Sequence, residues 1–597
     1  MDTCYSKRLE ALRQILKQEG LEGYFQPYGD AYQNHFLPPS EERLAWLSGF
    51  TGSAGFAVVL MESAVVMSDG RYRVQLKKQI DSALYETGDF TKVSAGKWLA
   101  ERAKSGAKIG YDPDLLTIAQ IEKIEAALEG CSISLQPMEK NPVDLLWGAD
   151  RPERQTAPVR IFPEKIAGLD ISQKISKVSE VLLKKQKNEP LEAFILTSPA
   201  SLSWLLNVRS SEVKYLPVVL SRAILYADGT LDWFVEPARV TAEIKDHIGP
   251  GVRVCAPEEM EAVLKAQAGP VGVDFENAPI RFKNILTDSG TKIQNIKDPC
   301  VSLKACKTPA EIEGIKEAHI RDGAALATFL HWVSEQAGSG ICEGDIAEKS
   351  TQVRAVSNSY QGPSFPPIIG FGENGAIIHY TLAAGEKGAP VKPPGLLLMD
   401  TGGQYVDGTT DITRTVAIGE PTEEMRRHFT LVLKGHINLA LARFPEGATG
   451  AQLDILARRA LWEEGLDYAH GTGHGVGTNL DVHEESATIS PRGQRAFEAG
   501  MVITNEPGYY REGQYGIRIE NVMTVEEAGP CSDTPQKMMR FKTLSLAPID
   551  RNLIERALLT EEELEWLNAY HAEVYAKISP HLEEGVRRWL RAATAPL

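Results

Sequence analysis

Cysteine is scarce in this chain: its 597 residues include seven, and none forms a C-x-x-C pair. A sparse, odd-numbered set argues against a disulfide framework and is typical of reduced thiols in a cytosol. Long apolar runs are also missing, because none approaches the length that spans a bilayer and the first residues show no apolar signal core. The sequence therefore predicts a cytoplasmic protein that does not enter a membrane.

Positive charge is in deficit, with 64 Lys and Arg against 80 Asp and Glu and a net charge of −16. Such a chain repels phosphate backbones and anionic lipids, so we expect neither nucleic acid nor a membrane as a partner. The glycine run at Gly473, Gly475 and Gly477 lacks the G-x-G-x-x-G spacing and no Lys-Ser/Thr follows it, which disfavours a nucleotide site.

The chain is too long for one ordinary hydrophobic core, and its patterns predict three domains. Residues 1–155 carry alternating strand and helix signals, and residues 159–303 repeat that plan after a polar, proline-bearing linker. Trp204-Leu205-Leu206-Asn207 follows Trp46-Leu47-Ser48-Gly49 by 158 residues, and a second motif pair is offset by 159 residues. Two offsets in register indicate a duplicated α/β fold.

The third predicted domain, residues 304–597, opens on a helix signal. Thr308-Pro309-Ala310-Glu311 is a capping box with proline at the first helical position, and an apolar stripe at helical spacing follows. Similar signals at Thr449 and Thr560 predict two more helices. Helices around a curved antiparallel sheet account for this pattern.

One stretch, residues 400–520, concentrates acidic side chains beside turn and strand signals. Residues 396–399 form an apolar run of strand type that ends at Asp400, and glycine-rich turn residues separate it from a returning strand that begins at Asp411. A hairpin of this kind brings the two aspartates together. The glycine-rich stretch around His474 predicts a loop whose backbone can approach a ligand closely. The full candidate metal-binding set is Asp400, Asp411, His474, Glu506 and Glu520.

The chemistry of this set points to a pair of metal ions. Four carboxylates and one imidazole are hard, oxygen-rich ligands that suit Mn²⁺, Mg²⁺ or Ca²⁺ better than a closed structural zinc site. Four carboxylates at one point repel one another and raise their own pKa values, and two divalent cations remove that repulsion. Two metal ions about 3.5–4 Å apart also activate water and polarise a carbonyl, which indicates a hydrolase.

These motifs resemble the metallopeptidase family with the pita-bread fold and, within it, the Xaa-Pro aminopeptidases in their long three-domain cytosolic form. The resemblance runs along nearly the whole chain. The segments that carry it are residues 399–402, 407–414, 470–477, 482–484, 506–510 and 518–521.

The resemblance implies an α/β (α+β) protein with two similar creatinase-type N-terminal domains and a C-terminal pita-bread catalytic domain that ends in a helical extension. It implies a homodimer, peptides with proline in the second position as substrates, and two divalent metal ions. Mn²⁺ is the expected metal, with Co²⁺ and Zn²⁺ as alternatives.

The resemblance also implies roles for individual residues. Asp411 and Glu520 bridge the metals, Asp400 binds one ion, and His474 and Glu506 bind the other. A metal-bridging hydroxide is the nucleophile and Glu506 the general base. In the similar enzymes His379, His470 and His483 contact the substrate or stabilise the intermediate. Arg518 is a further expected catalytic residue that supports the charge of the site, because the alternation of apolar and polar residues places it on one strand face with Glu520.

Two alternatives remain open at this point. Prolidase, an Xaa-Pro dipeptidase, shares the motifs but cleaves dipeptides, and a non-catalytic peptide- or protein-binding member of the fold is the second alternative. Related sequences often carry proline two residues after the Ile-Ile-His-Tyr motif, whereas this chain has Thr381-Leu382 there, which affects the expected substrate contacts. Tyr509 and Tyr510 are candidates for the pocket that holds the proline ring.

Overall fold

The computed structural model describes residues 3–185, 189–383, 385–531 and 534–597. The chain forms two compact units. The first contains Met1–Pro163 and Leu169–Cys300, and the second contains Glu164–Gly168 and Val301–Leu597. In the part of the chain that the structure describes, we find no helix long and apolar enough to cross a membrane.

The first unit contains two six-stranded sheets with the same strand order and the same pattern of parallel and antiparallel neighbours. In spatial order the strands of the first sheet are Glu86–Asp89, Ala64–Ser68, Phe56–Leu60, Gly23–Pro27, Lys108–Tyr111 and Ser134–Pro137. Those of the second are Val252–Cys255, Leu231–Phe234, Arg222–Tyr226, Ala193–Leu196, Val271–Val273 and Ile293–Asn295. The prediction of two similar α/β domains is confirmed, while their exact boundaries stay predictions.

Helices cover these sheets because each has one apolar face. In helix Thr3–Gln18, for example, Leu9, Leu12 and Leu16 recur at helical spacing and are buried. The helices of the first unit are Thr3–Gln18, Arg43–Ser48, Arg73–Gln79, Ala95–Arg102, Ile118–Ala127, Pro142–Trp147, Ile171–Lys185, Pro199–Leu205, Ala242–Ile248, Met260–Lys265 and Ile280–Asp288, and helix Pro299–Ala305 contains the boundary.

The two halves of the first unit share a core. One apolar cluster contains Val58 and Ile109 of the first sheet together with Ile195 and Ile224 of the second. The strand pair Arg160–Ile161 and Val208–Arg209 lies within this unit.

The second unit is built from short antiparallel sheets and long helices. Its helices are Glu164–Ala167, Pro309–Gln336, Glu343–Arg354, Glu423–Ala440, Gly450–Trp462, Glu561–Ile578 and Glu584–Ala593. The strands, sheet by sheet, are Ile368–Phe371, Gly395–Thr401 and Ile412–Ile418; Tyr360–Pro363, Gly403–Tyr405 and Gly408–Thr409; Arg443–Pro445, Thr534–Thr543, Asn521–Cys531, Val502–Asn505, Gly473–Gly475 and Glu484–Ile489; and Gly508–Arg511 with Tyr515–Arg518.

The long helix Pro309–Gln336 begins where the capping box predicts. The Thr308 hydroxyl accepts a hydrogen bond from Glu311 N at 3.2 Å, and Glu311 Oε2 accepts one from Thr308 N at 2.9 Å. Its apolar stripe packs on strand Gly395–Thr401 through Leu397 and Met399. Because neighbouring strand residues point to opposite faces, Asp400 is directed away from this helix.

Candidate metal centre

Two neighbouring strands carry the predicted aspartates. Strand Gly395–Thr401 contains Asp400, and Asp411 directly precedes its antiparallel neighbour, strand Ile412–Ile418. In the register of this pair Asp400 lies opposite Thr413 and Thr401 opposite Ile412. The pairing therefore places both aspartates at the same end of the two strands.

The other predicted ligands lie at strand ends of a second sheet. Glu506 follows strand Val502–Asn505, and Glu520 precedes strand Asn521–Cys531. Backbone bonds anchor both positions, because Glu506 N donates to Thr472 O at 2.8 Å and Glu520 N donates to Thr413 O at 3.1 Å. Arg518 ends a separate strand, so it does not share a strand with Glu520 as the alternation predicted.

His474 lies in the short strand Gly473–Gly475 rather than in a loop, as its glycine-rich surroundings had indicated. The glycines are required by close packing. A Cβ on Gly473 would lie 2.1 Å from Thr504 O, and one on Gly475 would lie 2.4 Å from the Ser486 Cβ. The small residues let the neighbouring strands approach the backbone on both sides of His474.

Three of the five side chains converge closely. Ligand atoms of Asp411, His474 and Glu520 all lie within 4.8 Å of one another. The His474 Nε2 atom is 3.5 Å from Asp411 Oδ2 and 3.6 Å from Glu506 Oε1, which brings a fourth predicted ligand to the same imidazole. Hydrogen bonds through Arg518 and Thr413 connect Asp400 to Glu520 of this group.

The carboxylates of this cluster are strongly destabilised as anions. Burial, followed by the charges of Asp400 and Glu506, holds the pKa of Asp411 well above its usual range. Burial and the same neighbouring carboxylates, with Asp411 first among them, raise the pKa of Glu520 well above its usual range. Burial also raises the pKa of Asp400 against the opposing effect of Arg518.

Arg518 compensates part of this negative charge. Its Nη2 lies 2.6 Å from Asp400 Oδ2, its Nε donates to Thr413 Oγ1 at 3.0 Å, and its Nη1 donates to the Tyr510 hydroxyl at 2.6 Å. One guanidinium cannot neutralise the four carboxylates. The buried Asp400 Oδ1 atom also has no hydrogen-bond partner among the described residues. Excess buried negative charge, an unused oxygen and a nearby imidazole fit divalent cations.

Two of the predicted catalytic histidines, His470 and His483, lie close to candidate metal ligands. The rings of His474 and His483 have centroids 4.3 Å apart, and His470 Nδ1 is 3.8 Å from Glu506 Oε2. His379 is half-buried in the segment between turn Gly372–Ala376 and strand Gly395–Thr401, and its position relative to the ligands stays a prediction.

Sequence reasoning missed Thr413. Its hydroxyl donates to Glu520 Oε2 at 2.6 Å and accepts from Arg518 Nε at 3.0 Å, so it connects a predicted ligand with the compensating cation. The alternation of side chains along a strand could have identified this residue, because Thr413 follows Asp411 by two positions and therefore points to the same face.

Family models match nearly all of the chain. Metallopeptidase family M24 matches residues 313–527, and the C-terminal region of peptidase M24 matches residues 537–597. Two models of the creatinase/prolidase N-terminal domain match residues 8–141 and 150–311.

Similar proteins cover the same length. A probable Xaa-Pro aminopeptidase P from Penicillium rubens is 38% identical over 614 residues, 99% of each chain, and one from Aspergillus niger is 37% identical with the same coverage. The crystal structure of an X-prolyl aminopeptidase from Caenorhabditis elegans, described as a cytosolic enzyme with a di-nuclear active site, matches with a TM-score of 0.93 and 32% identity over 99% of this chain and all of that one. By these similarities the chain belongs to metallopeptidase family M24 and, within it, to the Xaa-Pro aminopeptidase P family of metalloaminopeptidases.

Proposed function

We propose that this metalloaminopeptidase hydrolyses the bond between any N-terminal residue and a proline in the second position. One observation supports the proposal most directly: ligand atoms of Asp411, His474 and Glu520 lie within 4.8 Å of one another. The relatives that match this chain over 99% of its length are named probable Xaa-Pro aminopeptidase P. The substrate class comes from the names of those relatives and from the family resemblance.

We assign the metals to the five predicted ligands. Asp411 and Glu520 would be shared between two divalent cations, Asp400 would serve one, and His474 and Glu506 the other. Hard oxygen ligands favour Mn²⁺, with Co²⁺ and Zn²⁺ as alternatives. When bound, the cations would supply an activated water and polarise the scissile carbonyl.

Glu506 suits the role of general base. Its side chain is 17% exposed, against 5% for Asp411, so it can exchange a proton with water that enters the site. The imidazole of His470 lies beside Glu506 Oε2, and the backbone N of Glu506 donates a hydrogen bond to Thr472 O. The Thr504 hydroxyl donates to Glu506 Oε1 at 3.4 Å, and this bond together with the anchored backbone orients the carboxylate for proton transfer.

A chain of hydrogen bonds fixes the proton on His470. The Gly471 carbonyl can only accept, so its contact with His470 Nδ1 at 2.8 Å places the proton of the neutral imidazole on Nδ1. Nε2 then accepts from the Tyr510 hydroxyl at 2.9 Å, and that hydroxyl accepts from Arg518 Nη1. We propose that His470, with His379, His483 and Arg518, contacts the substrate or supports the charge of the intermediate.

Proline specificity follows from the substrate's chemistry. A peptide bond to proline is a tertiary amide without an N–H, so a site that requires an N–H donor loses a contact. The Tyr510 hydroxyl is hydrogen-bonded to Arg518 and His470, and the centroid of the Tyr509 ring lies 4.6 Å from that of the His428 ring.

We infer further a homodimer, from the family resemblance, and a cytoplasmic location, in keeping with the few cysteines and the cytosolic relative.

The test compares three substrates with purified enzyme supplied with Mn²⁺. We expect release of the first residue from Xaa-Pro-Xaa tripeptides, with slower turnover of Xaa-Pro dipeptides and of Xaa-Ala-Xaa controls. Turnover of the dipeptide alone would assign the chain to prolidase, and no turnover of any peptide would favour the binding-protein alternative. Elemental analysis of protein purified without added metal identifies the native ion.

A further inference from the structure

Helix Gly450–Trp462 buries an ion pair that the proposed mechanism does not use. Arg458 Nε lies 2.7 Å from Asp454 Oδ2, and both side chains are 4% exposed. The adjacent pair on the same helix, Arg459 and Glu463, has the same spacing but lies at the surface, with 75% and 62% of the side chains exposed. Removing two charges from water is costly, so the buried pair calls for a physical reason.

Arg458 uses its donors on the chain segment that carries His470. Its Nη1 donates to Asp467 Oδ1 and Tyr468 O at 2.8 Å, and its Nη2 donates to His470 O at 2.7 Å. This segment is irregular, so strand or helix bonds do not define its path. The planar guanidinium therefore binds the backbone directly at His470.

Ring contacts extend the same support to the imidazole. The Arg458 guanidinium carbon lies 3.9 Å from the Tyr468 ring centroid, and the Tyr468 ring centroid lies 4.8 Å from that of His470. His470 is also held by Tyr510 and, through it, by Arg518. The imidazole therefore has one support that starts at the helix and another that starts at the candidate metal centre.

Asp454 holds the next part of the segment. Its Oδ1 accepts from the Thr472 hydroxyl at 2.5 Å, which in turn accepts from the Tyr468 hydroxyl at 2.5 Å. The carbonyl of Thr472 is the acceptor for Glu506 N. One helical ion pair thus fixes the backbone on both sides of His470 and reaches the proposed general base.

We propose that Arg458 and Asp454 are positioning residues that hold His470 in the orientation required for catalysis. This inference rests on the proposed function, because it assigns His470 a role in turnover. It predicts that the pair acts on the rate through His470 and not through general stability of the domain.

The test is a double-mutant cycle with Arg458→Lys and His470→Ala. Lysine keeps the charge beside Asp454, but three donors on one nitrogen cannot replace the four contacts that Arg458 makes from three nitrogens. We expect Arg458→Lys to lower kcat about tenfold or more, with KM for an Xaa-Pro-Xaa peptide changed less than about threefold. In the His470→Ala background the same substitution should change kcat less than about twofold. An equal loss in both backgrounds, or unchanged kcat, would overturn the proposal.

Arg459→Lys is the matched control, because it alters the exposed pair on the same helix. It should leave kcat and KM as in the unmodified enzyme. Asp454→Asn provides a second route to the same cycle if Arg458→Lys does not fold, as judged by circular dichroism and thermal unfolding.

A second readout is independent of activity. Diethylpyrocarbonate modification of His470, followed by peptide mass spectrometry, should be faster in Arg458→Lys by several-fold, while the exposed His581 reacts equally in both proteins. Unchanged modification of His470 would overturn the proposal even if turnover fell. If the unmodified enzyme cleaved no Xaa-Pro peptide, the proposed function would fail, and faster labelling would still show that Arg458 positions His470.

Discussion

A buried carboxylate of the first unit and the carboxylate cluster of the second unit differ in how their negative charge is stabilised. In the first unit, the buried Asp274 accepts hydrogen bonds from Glu276 N, Asp298 N and the Asn277 amide at 3.1, 2.9 and 3.1 Å. In the second unit, Asp411 and Glu520 lie beside other carboxylates that raise their pKa values. The carboxylate of Asp274 is stabilised by hydrogen bonds from neighbouring residues, whereas the cluster of Asp411 and Glu520 requires bound cations to balance its negative charge.

This difference separates structural from functional acids. A buried anion that accepts several hydrogen bonds stabilises its loop and requires nothing more. A group of buried anions without enough donors destabilises the fold until cations bind, and cation binding then becomes part of the stability. The comparison therefore assigns a structural role to Asp274 and a chemical role to the cluster of Asp411 and Glu520, and the following experiments test that difference.

The largest expected effect is on turnover. Glu520→Ala removes a proposed shared ligand and should lower kcat by about a thousandfold or more together with metal content, measured by peptide hydrolysis and elemental analysis. Asp274→Asn is the matched control and should leave kcat within about twofold while lowering the free energy of unfolding by about 1–3 kcal/mol. Turnover that survives Glu520→Ala would remove the assignment of this residue.

Metal removal should destabilise the second unit and leave the stability of the first unit unchanged. At a free metal concentration of 100 to 1,000 times Kd, binding stabilises the folded form by about 3–4 kcal/mol, and chelation should remove that stabilisation in urea unfolding. Hydrogen exchange should then increase in strands Gly395–Thr401 and Ile412–Ile418. Peptides from strands Gly23–Pro27 and Phe56–Leu60 serve as the control, and equal deprotection there would contradict the comparison.

A buried histidine outside the metal cluster tests acid sensitivity. Burial, then Arg414 and Arg551, lowers the pKa of His571 to about 4, and its Nε2 accepts from Ile549 N at 3.1 Å. Because the pKa of His571 is lower in the folded protein, the neutral imidazole contributes to the free energy of unfolding. This contribution is fully present above the unfolded pKa of about 6.5 and is lost as the pH falls towards 4. We expect a loss of about 2 kcal/mol between pH 7 and pH 5 by urea unfolding.

His571→Gln keeps an acceptor for Ile549 N but cannot be protonated. Its free energy of unfolding should fall less between pH 7 and pH 5 than that of the unmodified protein. An identical fall in both proteins would show that other groups cause the acid sensitivity.

The smallest expected effects are on two helix caps with the same geometry. Thr117 and Thr308 each accept from the N3 backbone N at 3.2 Å, and Gln120 and Glu311 accept in return at 2.9 Å. Thr117→Ala should lower the free energy of unfolding by about 1 kcal/mol, measured in urea. Thr308→Ala should cost somewhat more, because its hydroxyl also donates to Ala167 O at 3.0 Å. Costs that differ by several-fold would show that the units differ in general construction and not at the site alone.

Much of the fold was predictable because its signals are local. The capping box at Thr308 and the apolar stripe after it predict a helix, and the structure has one over Pro309–Gln336. The family resemblance, the fold class and the enzyme class are confirmed by the comparisons. The metal ligands, the catalytic roles, the domain boundaries, Mn²⁺ and the homodimer stay predictions.

Other features were wrong or missed because they depend on distant segments. His474 lies in a strand because Gly473 and Gly475 admit close neighbours, and Arg518 does not share a strand with Glu520. The supports for His470 come from a helix whose periodicity indicates only an amphipathic surface. Periodicity assigns a residue to a face but does not identify which group it meets there.

The amino-acid order alone determined where helices and strands begin, which faces are apolar and which acids follow strands, since these depend on neighbours within a few residues. Tertiary structure alone decided that Arg518 meets Asp400 across 118 residues and that Arg458 supports His470. The reason is geometric: a hydrogen bond requires atoms to meet within about 3 Å, and packing of whole elements sets positions on that scale.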